Sequence, residues 1–257
     1  MKHSNNYRAK KESFDNMLTL YGRKPVLEAL RNQQIQIYRL HVAKESTASP
    51  SMKDILNLAE ERHVEVRRHT RKELSRISGN TRQDQGVAID VMPPRYQSLH
   101  DLPIDSANME LMALERITNP QNLGMIIRSI TASPLSGIIL PRTGCARLDG
   151  LVIKASAGTL FQCPIYHCED LISGLDYLED TGIEIIGLSS RGTWDIMETG
   201  GPGRRVVLLG NETDGLTESA QARCHRMARI SLQNEVESLN VSAAAAIIAF
   251  RSLFHHR

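Results

Sequence analysis

Leu208-Leu209-Gly210-Asn211-Glu212-Thr213-Asp214-Gly215-Leu216 decides how the second half of the chain folds. The apolar run from Val206 to Leu209 has the length and continuity of a buried strand, and it stops at a loop bounded by two glycines with amide and acidic groups between them. Such a loop presents backbone N–H and C=O groups to a polar ligand, and Glu212 can accept from a hydroxyl or an amine. Taken alone, a tight strand-to-helix turn explains it nearly as well.

Outward from this loop the chain alternates strand and helix. Leu111 to Leu114, Gly137 to Leu140 and Ile183 to Leu188 read as further strands, with helices from about Asn122 and across Leu151 to Ala157. The alternation predicts an open parallel sheet covered by helices, whose ligands sit at the carboxyl ends of the strands. Two more loops at such ends are rich in small and amide residues. Asn119-Pro120-Gln121-Asn122-Leu123-Gly124-Met125-Ile126-Ile127-Arg128 follows the first strand. Asn122 is its expected helix N-cap, Gly124 permits close approach, and Arg128 lies six positions further on, nearly two turns along the helix. A capped amphipathic helix with one exposed arginine explains this loop equally well. In Ile230-Ser231-Leu232-Gln233-Asn234-Glu235-Val236-Glu237-Ser238-Leu239-Asn240, Asn240 suits an N-cap, and the alanines after it let the next helix pack closely.

Toward the N-terminus, residues 1–17 read as a basic tail without apolar periodicity. A smaller α/β unit over 18–92 follows. Its helices are expected at Lys24 to Asn32, Met52 to Arg62 and Lys72 to Ile77, and its strands at Ile37 to Val42, Val64 to Arg67 and Gly86 to Val91. The paired prolines Pro93 and Pro94 open a linker over 93–106, and the larger domain fills 107–257.

Composition narrows the function classes. Aromatic residues make up 4% of the chain, which argues against a module that stacks many bases on aromatic rings. The net charge of +2 demands no polyanionic partner, yet the cations cluster: Lys10-Lys11, Arg23-Lys24, Arg67-Arg68 with Arg71-Lys72, and Arg204-Arg205 are each able to neutralise phosphates or simply to face solvent. Cys145, Cys163, Cys168 and Cys224 show no C-x-x-C spacing and no hydrophobic leader precedes them, so reduced cytoplasmic thiols are expected. Cys163, His167 and Cys168 lack a fourth ligand at zinc-like spacing, so no metal is expected. The longest apolar run, Val241 to Phe250, is half of the roughly 20 residues that a membrane span needs. Neither G-x-G-x-x-G nor G-x-x-x-x-G-K-[ST] occurs, which removes the usual signatures of dinucleotide and triphosphate sites, and with them a Rossmann-type oxidoreductase.

Together, and in this order, the three loops resemble the three motifs of the SpoU/TrmH family of RNA 2′-O-methyltransferases (SPOUT superfamily). They read N-P-x-N-x-G-x-x-x-R, L-G-N-E-x-x-G-L and V-E-S-L-N-V-S-A-A-A-A-I, and the resemblance covers about Leu111 to Phe254. Arg142 to Gly158 resembles the connecting stretch of that family, and residues 20–91 resemble its N-terminal RNA substrate-binding domain. Ser231 stands where a proline is usual, Thr213-Asp214 where a glycine-containing pair is, and Ser133-Pro134-Leu135 where a small residue and glycine are common.

The resemblance implies a C-terminal parallel-sheet α/β domain with a deep trefoil knot, and a homodimer with its active site at the subunit interface. It places S-adenosylmethionine against Leu188, Gly210, Asn211, Gly215, Ile230, Leu232 and Leu239. Asn122, Arg128, Glu212, Ser238 and Asn240 would surround the reacting ribose. The chemistry is in-line attack of a 2′-hydroxyl on a sulfonium methyl, which needs the hydroxyl held in attack geometry and relieved of its proton. Arg128 is the activating residue that the family pattern proposes. Because free guanidinium groups keep their proton through the physiological range, gathering phosphate and hydroxyl electrostatically is the preferred role. The implied partner is a large folded RNA, ribosomal ahead of transfer RNA, recognised by shape and by an exposed nucleotide. Two rivals are an RNA-binding relative without activity, acting in ribosome assembly, and a base-nitrogen methyltransferase. The intact Asn122, Arg128, Glu212 and Asn240 weigh against the first, and the Ser-Leu-Asn of the third motif against the second.

Overall fold

The structure, a computed structural model, describes residues 17–46, 49–80, 83–93, 96–198, 203–234 and 236–254. The expected basic tail, apart from Met17, lies outside the described residues, as does Glu235 of the third motif. The chain divides into two compact units, residues 1–94 with 149–161, and residues 95–148 with 162–257.

The first unit runs β1 (Leu18–Tyr21), α1 (Arg23–Arg31), β2 (Ile37–Ala43), α2 (Pro50–Glu61), β3 (Glu65–His69), α3 (Arg71–Ser78) and β4 (Val87–Val91). Its sheet has the order β1-β4-β2-β3, with β4 antiparallel to both neighbours and β2 parallel to β3. Val26, Ala29 and Leu30 form the buried stripe of α1, and Met52, Ile55 and Ala59 that of α2. Helix α2 starts two residues before the expected Met52, because Ser49 accepts from the Met52 N–H at 3.3 Å and Pro50 has its φ preset for a first helical turn. Arg62 is a structural cation: its guanidinium donates to the carbonyls of Ala29, Leu30, Asn32 and Ile35 at 2.8–3.1 Å, satisfying orphan acceptors in the last turn of α1 and just past it. A capping box between Thr70 and Glu73 starts α3, and Gly79 ends it in the left-handed region at φ 64°.

The second unit carries β5 (Gln97–Ser98), β6 (Met109–Leu114), α4 (Pro120–Thr131) and β7 (Gly137–Pro141). Helix α5 (Gly150–Ala155) groups with the first unit. The second then continues with β8 (Ile165–Cys168), α6 (Leu171–Asp180), β9 (Glu184–Leu188), β10 (Trp194–Asp195), β11 (Arg204–Leu209), α7 (Glu218–Gln221), β12 (Arg226–Arg229) and α8 (Val241–Phe250). All eight strands are parallel, in the order β10-β12-β9-β11-β6-β7-β8-β5. This is the open parallel sheet expected from the alternation. The central strands are buried on both faces: Leu111 to Leu114 and Val206 to Leu209 are at most 1% exposed, as continuous apolar runs require. Within the segment expected as a linker, 93–106, Gln97 and Ser98 pair with Tyr166 and His167 as a short edge strand of the sheet.

Candidate active site

The carboxyl ends of β9, β11 and β12 converge on a cavity of about 630 Å³, a size suited to a ligand larger than a single base. Leu188 closes β9, Leu209 closes β11, and Ile230 follows β12, so three adjacent strands of the sheet deliver the loops that line it. Of the residues assigned to a cofactor from sequence, Leu188, Gly210, Asn211, Gly215, Ile230, Leu232 and Leu239 all border the cavity. Glu212 and Ser238 border it as well.

Gly210 is a glycine because of close approach. A Cβ there would lie 2.3 Å from the carbonyl carbon of Gly215 and 2.5 Å from the nitrogen of Leu216, so the two ends of the loop touch backbone to backbone. The loop is closed by a bridge between Asn211 and Gly215, with the Gly215 N–H donating to the Asn211 carbonyl at 2.9 Å and Gly215 at φ 70°. Asn211 lines the cavity, but its side chain is already engaged: Nδ2 donates to the Arg116 carbonyl at 3.0 Å and Oδ1 accepts from the Thr213 N–H at 2.8 Å. Its part is to shape the loop. From the end of β6, Glu115 accepts from the Thr217 N–H and hydroxyl at 2.9 and 2.6 Å, and the Arg116 guanidinium donates to the Gly215 carbonyl at 3.1 Å. Arg116 adopts φ 56°, an uncommon left-handed conformation for a non-glycine residue.

Asn122, Glu212 and Asn240 form one hydrogen-bonded group. The Asn122 amide donates to the Glu212 carboxylate, and the Asn240 amide donates to Asn122 Oδ1 at 3.2 Å. One residue from each of the three sequence loops thus meets at one place. Asn240 is the N-cap of α8, accepting from the Ser242 N–H at 2.9 Å. Asn122 is not a cap. Asn119 caps α4 by accepting from the Gln121 N–H at 2.8 Å, Pro120 takes the first helical position, and Asn122 is left with its side chain free to reach Glu212.

Arg128 is placed apart from this group. It is exposed, does not border the cavity, and its side chain has no hydrogen-bond or ion-pair partner among the described residues. Helical geometry accounts for this. Six positions at about 100° each leave Arg128 about 120° around α4 from Asn122, so the side chain that reaches Glu212 and that of Arg128 leave the helix on different faces. Met125, three positions before Arg128, is half exposed on that same side.

Sequence reasoning missed Arg191, Asp214, Gln221, Glu237, Val241 and Ala244 in the cavity wall. Glu237 lies within the third motif, whereas nothing local marks Arg191. The serine in place of a proline at 231 is accommodated: its hydroxyl donates to Asp195, and this bond, followed by that from the Met197 N–H, holds the Asp195 carboxyl below its usual range. Among the described residues no group of His, Cys, Asp and Glu is arranged to hold a metal, and no helix is long and apolar enough to cross a membrane.

Comparison with known families identifies the class to which this parallel sheet, its strand-end cavity and the Asn–Glu–Asn group belong. Residues 109–250 match the SpoU rRNA Methylase family, and residues 19–97 match the domain described as RNA 2′-O ribose methyltransferase substrate binding. The chain belongs to the SpoU rRNA methylase family. It is 31% identical over 238 residues to a protein of Mycolicibacterium gilvum named as an uncharacterized tRNA/rRNA methyltransferase, a match covering 91% of this chain and 75% of the relative. Among solved structures it resembles the SpoU methyltransferase AviRb from Streptomyces viridochromogenes in complex with AdoMet. There the TM-score is 0.76 at 22% identity, over 96% of this chain and 92% of the other. The AdoMet-bound rRNA methyltransferase from Sinorhizobium meliloti gives a TM-score of 0.75 at 24% identity, over 97% and 91%.

Proposed function

We propose that this protein transfers a methyl group from S-adenosylmethionine to a ribose 2′-hydroxyl of RNA, ribosomal RNA ahead of transfer RNA, as a cytoplasmic homodimer. The observation that carries this reading is the junction of Asn122, Glu212 and Asn240 beside the cavity at the ends of β9, β11 and β12. The cavity fits the cofactor in chemistry. Leu188, Ile230, Leu232 and Leu239 supply an apolar wall for a flat adenine, and Glu212, Asp214 and Glu237 suit a sulfonium and an ammonium. A Cβ at Gly210 would fill the narrow floor of the loop. The deep trefoil knot belongs to the same reading, carried by the family match over residues 109–250.

When bound, the cofactor supplies an electrophilic methyl on sulfur. The chain's own groups then have to hold the ribose and manage one proton. Glu212, kept in place by the Asn122 amide, accepts a hydrogen bond from a sugar hydroxyl, while Ser238 and the Asn122–Asn240 pair offer neutral donors around it. Arg128 supplies positive charge for the phosphate and for the developing alkoxide.

Since Arg128 faces away from the cavity of its own chain, the reading places it in the site of the partner subunit. The surface around it supports this. Helix α8 is apolar on all sides, and Ile247 on it, with Met125 on α4 and Leu253 beyond it, is 36–55% exposed. Helices α4 and α8 pack together, with the Ser242 hydroxyl against Met125 Sδ at 3.9 Å.

Two results are expected. Arg128→Ala should lower methyl transfer to RNA by roughly 10²–10³-fold while leaving S-adenosylmethionine affinity unchanged by calorimetry; turnover within a few-fold of wild type removes Arg128 from the mechanism. Co-expressing Arg128→Ala with Glu212→Ala should restore transfer that neither variant has alone, because a mixed dimer contains one intact site. No recovery from mixed dimers would place Arg128 in its own chain's site. Nucleoside analysis of the product tests the reaction itself, and a methylated base instead of a 2′-O-methylated nucleoside overturns the ribose assignment.

A further inference from the structure

The segment Glu65–Arg76 carries five cations (Arg67, Arg68, Arg71, Lys72 and Arg76) against two carboxylates, a net of +3, whereas the whole chain carries +2. The structure puts this charge on the open edge of the first unit's sheet. Strand β3 is the last in the order β1-β4-β2-β3, and Glu65, Val66, Arg67 and Arg68 are all exposed, as are Arg71 and Lys72 in the first turn of α3.

The two carboxylates are already engaged. Glu65 pairs with Arg39 at 3.0 Å and with Arg67 at 2.7 Å. Glu73 closes the capping box, accepting from the Thr70 N–H at 2.8 Å. Arg68, Arg71 and Lys72 therefore stand without hydrogen-bond or ion-pair partners for their side chains, among the described residues. Two of these three occupy positions that helix electrostatics penalises. Arg71 and Lys72 lie in the first turn of α3, where the dipole favours anions, while Arg76 sits in the last turn, where a cation is favoured. Keeping charge on an edge strand also discourages pairing with another chain, but that function needs no cations inside the helix start. His69, whose pKa is lowered by burial and then by the nearby His41, adds no charge to the patch at neutral pH.

We infer that Arg68, Arg71 and Lys72 form a docking surface for the RNA phosphate backbone, holding the substrate by charge and without reading its sequence. The inference rests on the RNA methyltransferase reading and assigns the surface of the first unit that meets the RNA. Unpaired, exposed cations on long side chains suit a run of phosphates whose counterions are released on binding.

The test is the combined Arg68→Gln, Arg71→Gln and Lys72→Gln variant. Deproteinised ribosomal RNA is the ligand, titrated over a salt series from about 50 to about 200 mM. The wild type is expected to bind with a steep inverse dependence on salt. The variant should bind at least about tenfold more weakly, with the slope of log affinity against log salt reduced by about two to three. Its melting temperature and its calorimetric affinity for S-adenosylmethionine should match wild type, which separates a lost surface from a damaged fold. An unchanged slope with RNA affinity within twofold of wild type overturns the docking surface while leaving the methyltransferase reading intact. A wild-type protein that binds no RNA at any salt overturns both.

Discussion

Gly210→Ala is expected to remove S-adenosylmethionine binding, with the dissociation constant rising at least about 100-fold, equivalent to about 2.7 kcal/mol. The added methyl has no free space. The nearest atoms are the carbonyl carbon, carbonyl oxygen and following nitrogen of the Gly215–Leu216 peptide, at 2.3–2.5 Å, and backbone cannot swing aside as a flexible side chain would. The Asn211–Gly215 bridge must open, and with it goes the wall that Gly210, Asn211 and Gly215 give the cavity. Gly215→Ala is the informative comparison. A Cβ there meets nothing within 4 Å, but Gly215 holds φ 70°, so the cost is the left-handed strain of roughly 1–2 kcal/mol and not a collision. Calorimetric titration of both variants should therefore show Gly210→Ala as much the more damaging. Equal losses would mean that loop conformation, and not contact across the loop, sets the affinity.

The same loop shows how far local sequence reaches. Strand β11 and the two glycines after it are legible because a buried parallel strand is a continuous apolar run and because glycine marks backbone proximity. Asn240 reads correctly as a cap, since a cap is decided within three residues of itself. Asn122 misleads for the same local reason: two asparagines stand three apart, and Pro120 next to Asn119 decides which of them starts the helix. Helix α6 leaves a usable signal in Asp170, which caps it, and in Leu171, Leu175 and Leu178, which form its buried stripe. Strand β12, Arg226-Met227-Ala228-Arg229, leaves none. Two of its four residues are charged, and it exists because it completes the sheet between β9 and β10. Arg116 is equally silent, because a positive φ at an arginine comes from the contacts its guanidinium and carbonyl make with residues about a hundred positions away. Sequence order could bring Asn122, Glu212 and Asn240 together through motif resemblance, but the direction in which Arg128 points required the helix itself.

The largest stability effect is expected at Glu110, far from any loop of the site. Arg251 follows α8 and is 1% exposed; its guanidinium donates to the Glu110 carboxylate at the start of β6 and to the Ile248 carbonyl at 2.8 Å. Among the described residues the guanidinium Nε has no partner, so the charge depends on these two acceptors. Glu110→Ala strands a buried cation, and removing one member of such a pair costs about 3–5 kcal/mol. For a unit of this size that lowers the melting temperature by roughly 10 °C. The reverse change should cost less, because Arg251→Met fills similar volume with apolar atoms and leaves Glu110, at 18% side-chain exposure, able to reach water. The double variant Glu110→Leu with Arg251→Met removes both charges and should recover most of the loss, since a well-packed apolar pair is often no less stable than a buried ion pair. With Glu110→Leu alone added to the set, urea unfolding at one fixed protein concentration closes the cycle. If Glu110→Ala and Arg251→Met cost the same, packing and not the unpaired charge sets the energetics there; the expected asymmetry would identify Arg251 as the cation that fastens the end of α8 to the β6 strand at the centre of the sheet.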